Sequence, residues 1–159
     1  MITGFLFFQC GQNKQSDPMK EPELTHFVVA YVTEWEDNWG SGHERAKNIT
    51  HINYAFANVA DSLVIEGGEK DKRDLKKLND LKKINPNLKI LISVGGWTWS
   101  GGFSDAVFTS SSREKFANSA VAYLIRHNIN GIDLDWEYPG LPGNGNTHRP
   151  EDRENFSTA

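Results

Sequence analysis

Asn130-Gly131-Ile132-Asp133-Leu134-Asp135-Trp136-Glu137-Tyr138-Pro139 decides how this chain of 159 residues is read. Taken as a β-strand, whose successive side chains point to opposite faces, it sets Asp133, Asp135 and Glu137 on one face and Ile132, Leu134 and Trp136 on the other. Aspartate is depleted from strands, and carboxylates roughly 6–7 Å apart along one backbone repel each other, so three acids in a row need a compensating role. An ordinary solvated strand mixes Thr, Lys, Ser and Arg into its polar face, which makes a plain water-facing strand the weaker reading. Catalysis is the candidate role.

Working outward, each neighbouring segment reads as strand or helix in alternation. Phe27-Val28-Val29-Ala30-Tyr31-Val32 is a continuous apolar, β-branched run, as expected of a parallel strand buried on both faces. The loop after it carries Trp35 and Trp39. Residues 49–57 form a second such run, followed by a short excursion, Leu63-Val64-Ile65, before Gly67-Gly68. Asp71 to Ile84 has Leu75, Leu78, Leu81 and Ile84 spaced three apart with lysines between, which predicts an amphipathic helix capped near Asp71 and stopped by Asn85-Pro86-Asn87. Residues 88–94 predict the third strand, closing on Gly95-Gly96. A helix is expected over 110–127, capped by Ser111 or Ser112 and burying Phe116, Ala120, Tyr123 and Leu124. The quoted stretch is then the fourth strand, and Pro150 with Glu151 and Asp152 opens another helix.

This alternation is the grammar of parallel α/β folds, either an open doubly wound sheet or the first half of a (β/α)8 TIM barrel. Both gather chemistry at the carboxyl ends of the strands, where Ser93, Gly96, Trp97 and Glu137 fall. No Gly-rich phosphate loop follows the first strand, which argues against the nucleotide-binding version.

Composition narrows the function. Apolar residues make up 38% and charged residues 24%, as in a globular domain. A net charge of −4 without any Lys/Arg run among aromatics gives no sign of a nucleic-acid partner. The five Trp offer flat faces that suit sugar rings as well as a core. The five His have no ligand-like spacing, so no metal and no cofactor is expected. Cys10 stands alone, so no intrachain disulfide can form. Residues 1–10 read either as the tail of a secretion signal ending at a bacterial lipoprotein cysteine, with a lipid anchor on Cys10, or as a ragged start with an ordinary cysteine. Residues 11–25, with Pro18 and Pro22, read as a flexible linker, and 26–159 as the folded part.

Ser93-Val94-Gly95-Gly96-Trp97 and Gly131 to Pro139 resemble the two signature motifs of family 18 glycoside hydrolases, the chitinases. The likeness runs from about His26 onward, with Phe27 to Trp35 similar to that family's opening strand and Ile52 to Phe56 to its second. Bottom-up, glycosidic cleavage requires an acid at the leaving oxygen, and Glu137, last on the strand, is nearest the mouth. The resemblance implies that the nucleophile is the substrate's own N-acetyl oxygen, with Asp135 orienting that amide and stabilising an oxazolinium intermediate beside Asp133. It implies N-acetylglucosamine polymers such as chitin as substrate, and a retaining, substrate-assisted reaction. Ser93 and Asn130 are expected in support, Asn130 standing where the motif usually has aspartate.

Gly95 and Gly96 permit close backbone approach or positive φ. Tyr31, Phe56, Gly95, Gly96, Trp97, Trp136 and Tyr138 are the candidate substrate contacts; Trp35 and Trp99 are further aromatics able to stack on sugars. Related readings are an endo-β-N-acetylglucosaminidase acting on N-glycans or peptidoglycan, a lectin-like chitin-binding protein, and a glycosyltransferase holding a divalent metal on Asp133 and Asp135. A closed barrel takes about 250 residues, so the chain is expected to carry only the first four βα units and to be inactive by itself. A secreted, monomeric enzyme is expected for the full-length protein.

Overall fold

A computed structural model describes residues 26–33 and 42–158. Cys10, the 11–25 tract, Trp35 and Trp39 lie outside the described residues. In chain order the elements are β1 (Val29–Val32), α1 (Gly42–Arg45), β2 (His51–Ala60), β3 (Leu63–Ile65), α2 (Asp71–Asp80), β4 (Lys89–Gly95), α3 (Phe103–Phe108), α4 (Ser110–His127), β5 (Gly131–Asp135) and α5 (Asp152–Phe156).

Four strands run parallel in the order β1-β2-β4-β5. The excursion read at Leu63 to Ile65 is an antiparallel strand, β3, folded back on the end of β2 through Asp61 and Ser62, both at positive φ. Two positive-φ residues in a row suit a tight hairpin whose twist matches its strands. The register aligns Tyr31 with Asn53, Ala55 with Ser93, Ser93 with Asp133, and Gly95 with Asp135. Polar and small side chains therefore share one face. The alternate residues Ile52, Tyr54, Ile90, Ile92 and Val94 are buried on the other face and join the core.

The helices cover that second face. Leu75 and Leu78 of α2 and Phe116, Ala120 and Tyr123 of α4 are buried, and Leu124 packs partly. Each fully buried large side chain stabilises by about 1.5–3 kcal/mol relative to exposure. After Asp80 the expected helix tightens into a 3-10 turn, Leu81–Lys83, that still buries Leu81. Two caps differ from expectation. Thr109, ahead of the serines, caps α4 in a reciprocal box with Ser112, because its extended backbone frees its hydroxyl for the Ser112 N–H. Asp71 turns back instead, accepting from the N–H groups of Gly67 and Gly68.

β1 also departs from its reading. Val29 is 51% and Tyr31 57% exposed, because among the described residues β1 pairs with β2 alone and so stands at the edge of the sheet. The short α3 went unread in the sequence. It is pinned to α5, since buried Ser104 donates to buried Asp152 and accepts from Arg149.

Candidate active site

The acids converge as the period of two dictates. Asp133 is the hub: its Oδ2 accepts from the Tyr31 hydroxyl at 2.7 Å and from Ser93 Oγ at 2.8 Å. Ser93 is fully buried between β2 and β5, so its hydroxyl has a fixed direction. The Asp133 bond raises the Tyr31 phenol above its ordinary value, with burial adding to it and neighbouring Asn53 opposing. One strand step on, burial first, then the charges of Glu137 and Asp133, push the Asp135 carboxyl up. A carboxyl that holds its proton beside two other acids relieves their mutual repulsion.

Gly95 and Gly96 end β4 at φ +107° and +84°. Gly96 N–H donates to the Asp135 carbonyl at 2.7 Å. A Cβ on Gly95 would sit 2.4 Å from that same carbonyl oxygen, so the pair of glycines is what lets the third parallel strand reach the acid strand.

Glu137 lies just past β5 and is half-buried. A hydrogen bond to Glu137 and its charge raise the Tyr138 phenol. Tyr138 meets Trp97 edge-to-face at 6.3 Å, and the two rings are 44% and 50% exposed. They form an aromatic rim beside the acid, open to a flat ligand. Phe56 lies against Gly96 and, with Trp99 and Thr33, lines a cavity of about 470 Å³ at the carboxyl end of β2. That cavity has none of the three acids in its wall, so it flanks the acid cluster and does not contain it.

Two candidates sit elsewhere. Trp136 is 6% exposed and stacks on Phe103 at 5.1 Å with Phe156 across its edge, so it belongs to the helix side of the sheet and not to a substrate surface. Its even offset from Ile132 and Leu134 carries it there. Asn130 lies at the far end of β5, where its Oδ1 accepts from Ile90 N–H and its own N–H donates to Ile90 O. It closes the β4–β5 ladder and does not reach Asp133.

Ser100 and Asn146 were not singled out by sequence reasoning. Ser100 Oγ contacts Gly96 O, Asp135 O and Glu137 N, and Asn146 Nδ2 donates to Trp97 O and Glu137 O. Both act through long-range backbone contacts, for which a single sequence carries no periodic signal.

A parallel sheet curled so that side chains of its first and last described strands meet on its inner face, with carboxylates at the strands' carboxyl ends, has the architecture of (β/α)8 barrel enzymes. Residues 27–159 match the model for glycosyl hydrolases family 18, and the chain belongs to that family. It is 56% identical to chitinase A1 of Niallia circulans over 85 residues, covering 53% of this chain and 12% of that protein. It is 36% identical to chitinase 1 of Aphanocladium album over 133 residues, covering 70% of this chain and 31% of that one. Among solved structures it resembles a family 18 N-acetylglucosaminidase from Paenibacillus barengoltzii, with a TM-score of 0.72 and 40% identity over 84% of this chain and 38% of that one. The chain thus spans well under half the length of these relatives.

Proposed function

We infer that the chain is the first half of the catalytic barrel of a chitinase, a retaining glycoside hydrolase that cleaves β-1,4-linked N-acetylglucosamine polymers. The observation that carries this reading is the convergence of Tyr31 and Ser93 on Asp133, with Asp135 and then Glu137 following on the same face toward the strand ends. Glu137 protonates the leaving oxygen and afterwards takes a proton from the attacking water. Asp135 accepts from the N–H of the substrate's acetamido group, turns the amide oxygen toward the anomeric carbon and stabilises the positive oxazolinium that forms. Asp133, with its own Oδ2 fixed by two hydroxyls, is the charge behind Asp135. Trp97, Tyr138 and the open ring of Tyr31 are exposed surfaces for sugar rings, and Phe56 offers a further one from the wall of the flanking cavity. Secretion, a lipid anchor on Cys10 and a monomeric state complete the proposal; the short apolar run Ile2 to Phe8 leading into Gln9-Cys10-Gly11 supports the first two.

The same groups suit other N-acetylglucosamine linkages, and one of the similar structures is an N-acetylglucosaminidase, which favours a second reading on shorter or different glycans. Incubating the full-length protein with chitin, an N-glycan core and peptidoglycan, and following sugar release, separates them. Release from chitin is expected. Release from one of the other two alone transfers the assignment to that substrate. Chitin binding without release from any of the three defines a lectin.

A further inference from the structure

We propose that Ser100 is a positioning residue that locks the carboxyl ends of β4 and β5 together and so sets the place of Glu137; this rests on the assignment of Glu137 as the acid. The last ladder pair joins Gly95 to Asp135, so Glu137 lies two residues beyond regular pairing. Strand ends beyond their ladder fray unless other groups take up the free peptide N–H and C=O. Here Ser100 does so from outside the strand. Its hydroxyl is fully buried, accepts the Glu137 N–H at 2.9 Å and donates to Gly96 O at 2.8 Å, with Asp135 O at 3.2 Å.

One hydroxyl has one proton and two lone pairs, and this geometry uses it as donor toward β4 and acceptor from the acid's own peptide. The other side of the Glu137 residue is held as well. Asn146 Nδ2 reaches Glu137 O at 3.4 Å while donating to Trp97 O at 3.0 Å, and a Cβ on Gly143 would lie 2.7 Å from Glu137 O. The 139–146 loop therefore folds back on the acid's backbone, and Ser100 is its buried counterpart on the β4 side. Removing the hydroxyl leaves the acid's N–H without that partner, leaves the Gly96 carbonyl with the Trp99 N–H alone, and releases the strand end. A displacement of about 1 Å at a reacting group lowers turnover by about 100-fold.

The test compares wild type, Ser100→Ala, Glu137→Gln and Ser119→Ala in the full-length protein, with N-acetylglucosamine oligomers as substrate, well below the melting temperature. Ser119 has the same pattern of bonds in a remote place, accepting from Val64 N and donating to Phe116 O, so it reports what losing such a hydroxyl does to stability alone. Ser100→Ala is expected to lower kcat by about 100-fold with KM within about twofold of wild type, whereas Ser119→Ala lowers the melting temperature and leaves kcat unchanged. If Ser100→Ala does not fold, Ser100→Cys, which fills the space with a weak hydrogen-bonding group, is read by the same split. A kcat within about twofold of wild type in the folded Ser100 variant, alongside an inactive Glu137→Gln, overturns the role of Ser100 and leaves the site assignment standing. A wild type without turnover, or a fully active Glu137→Gln, overturns both.

Discussion

The hydroxyl of Tyr31 on β1 lies 2.7 Å from Oδ2 of Asp133 on β5, although β2 and β4 separate the two strands. In a flat sheet the two strands stand three spacings, roughly 14 Å, apart, with side chains perpendicular to the plane. Contact requires the sheet to curl, with Tyr31, Ser93 and Asp133 on the inside. The bond is thus a measure of barrel curvature and a support for the acid at once.

Ser93→Ala and Tyr31→Phe each remove one donor from the same oxygen. Ser93 is fully buried, and its loss is expected to cost about 1.5–3 kcal/mol, the range for hydrogen bonds to charged groups. Tyr31 is more than half exposed, and its loss is expected to cost less than about 1 kcal/mol. Urea denaturation of the two variants and the double variant checks this, and the shared acceptor predicts non-additivity.

Gly95→Ala puts a methyl group 2.4 Å from the Asp135 carbonyl oxygen and 2.6 Å from the Phe103 ring, at a φ that side chains disfavour. Loss of more than about 3 kcal/mol or failure to fold is expected, because neither backbone nor packed ring can give way. Soluble yield and thermal melts are the readout. A variant as stable as wild type contradicts the described junction of β4 with β5.

Asp135 gives a pH signature. Its carboxyl is pushed up by burial, then by Glu137 and Asp133, so the folded protein holds that proton more tightly than the unfolded chain. Stability from this group is present at acid pH and declines as pH rises from the ordinary carboxylate range through the raised value. Asp135→Asn removes the decline. Its melting temperature is expected to exceed that of wild type near pH 7, with the gap closing toward about pH 4, while turnover is lost. A variant less stable than wild type at neutral pH counts against this.

Trp97 and Trp136 test the two faces. Trp97→Ala is expected to change stability by less than about 0.5 kcal/mol and to raise KM, since the ring is half exposed on the rim. Trp136→Ala is expected to cost about 3–5 kcal/mol, because it empties a stacked site between α3 and α5. Thermal melts and Michaelis constants separate them.

Much of this was legible in the residues. The period of two in Ile132 to Glu137 divided acid face from apolar face, and Gly95-Gly96 read as a close approach. The face reading already placed Trp136 away from the acids, and grouping it with the sugar contacts ignored its own parity. What the chain did not declare was tertiary. α3 is six residues long and starts directly after Gly101-Gly102, too short for helical periodicity to register. Ser100 and Asn146 act on backbone atoms 37 and 9 positions from them, contacts that exist only once β4 and β5 lie side by side. The exposure of β1 likewise depends on what pairs with it, which a run of Val and Ala does not encode.

The most direct measurement is turnover of N-acetylglucosamine oligomers by Glu137→Gln in the full-length protein, with oligomer affinity measured by calorimetry on the same preparation. The account predicts that kcat falls by at least about 100-fold while affinity stays near that of wild type. Undiminished turnover would contradict it.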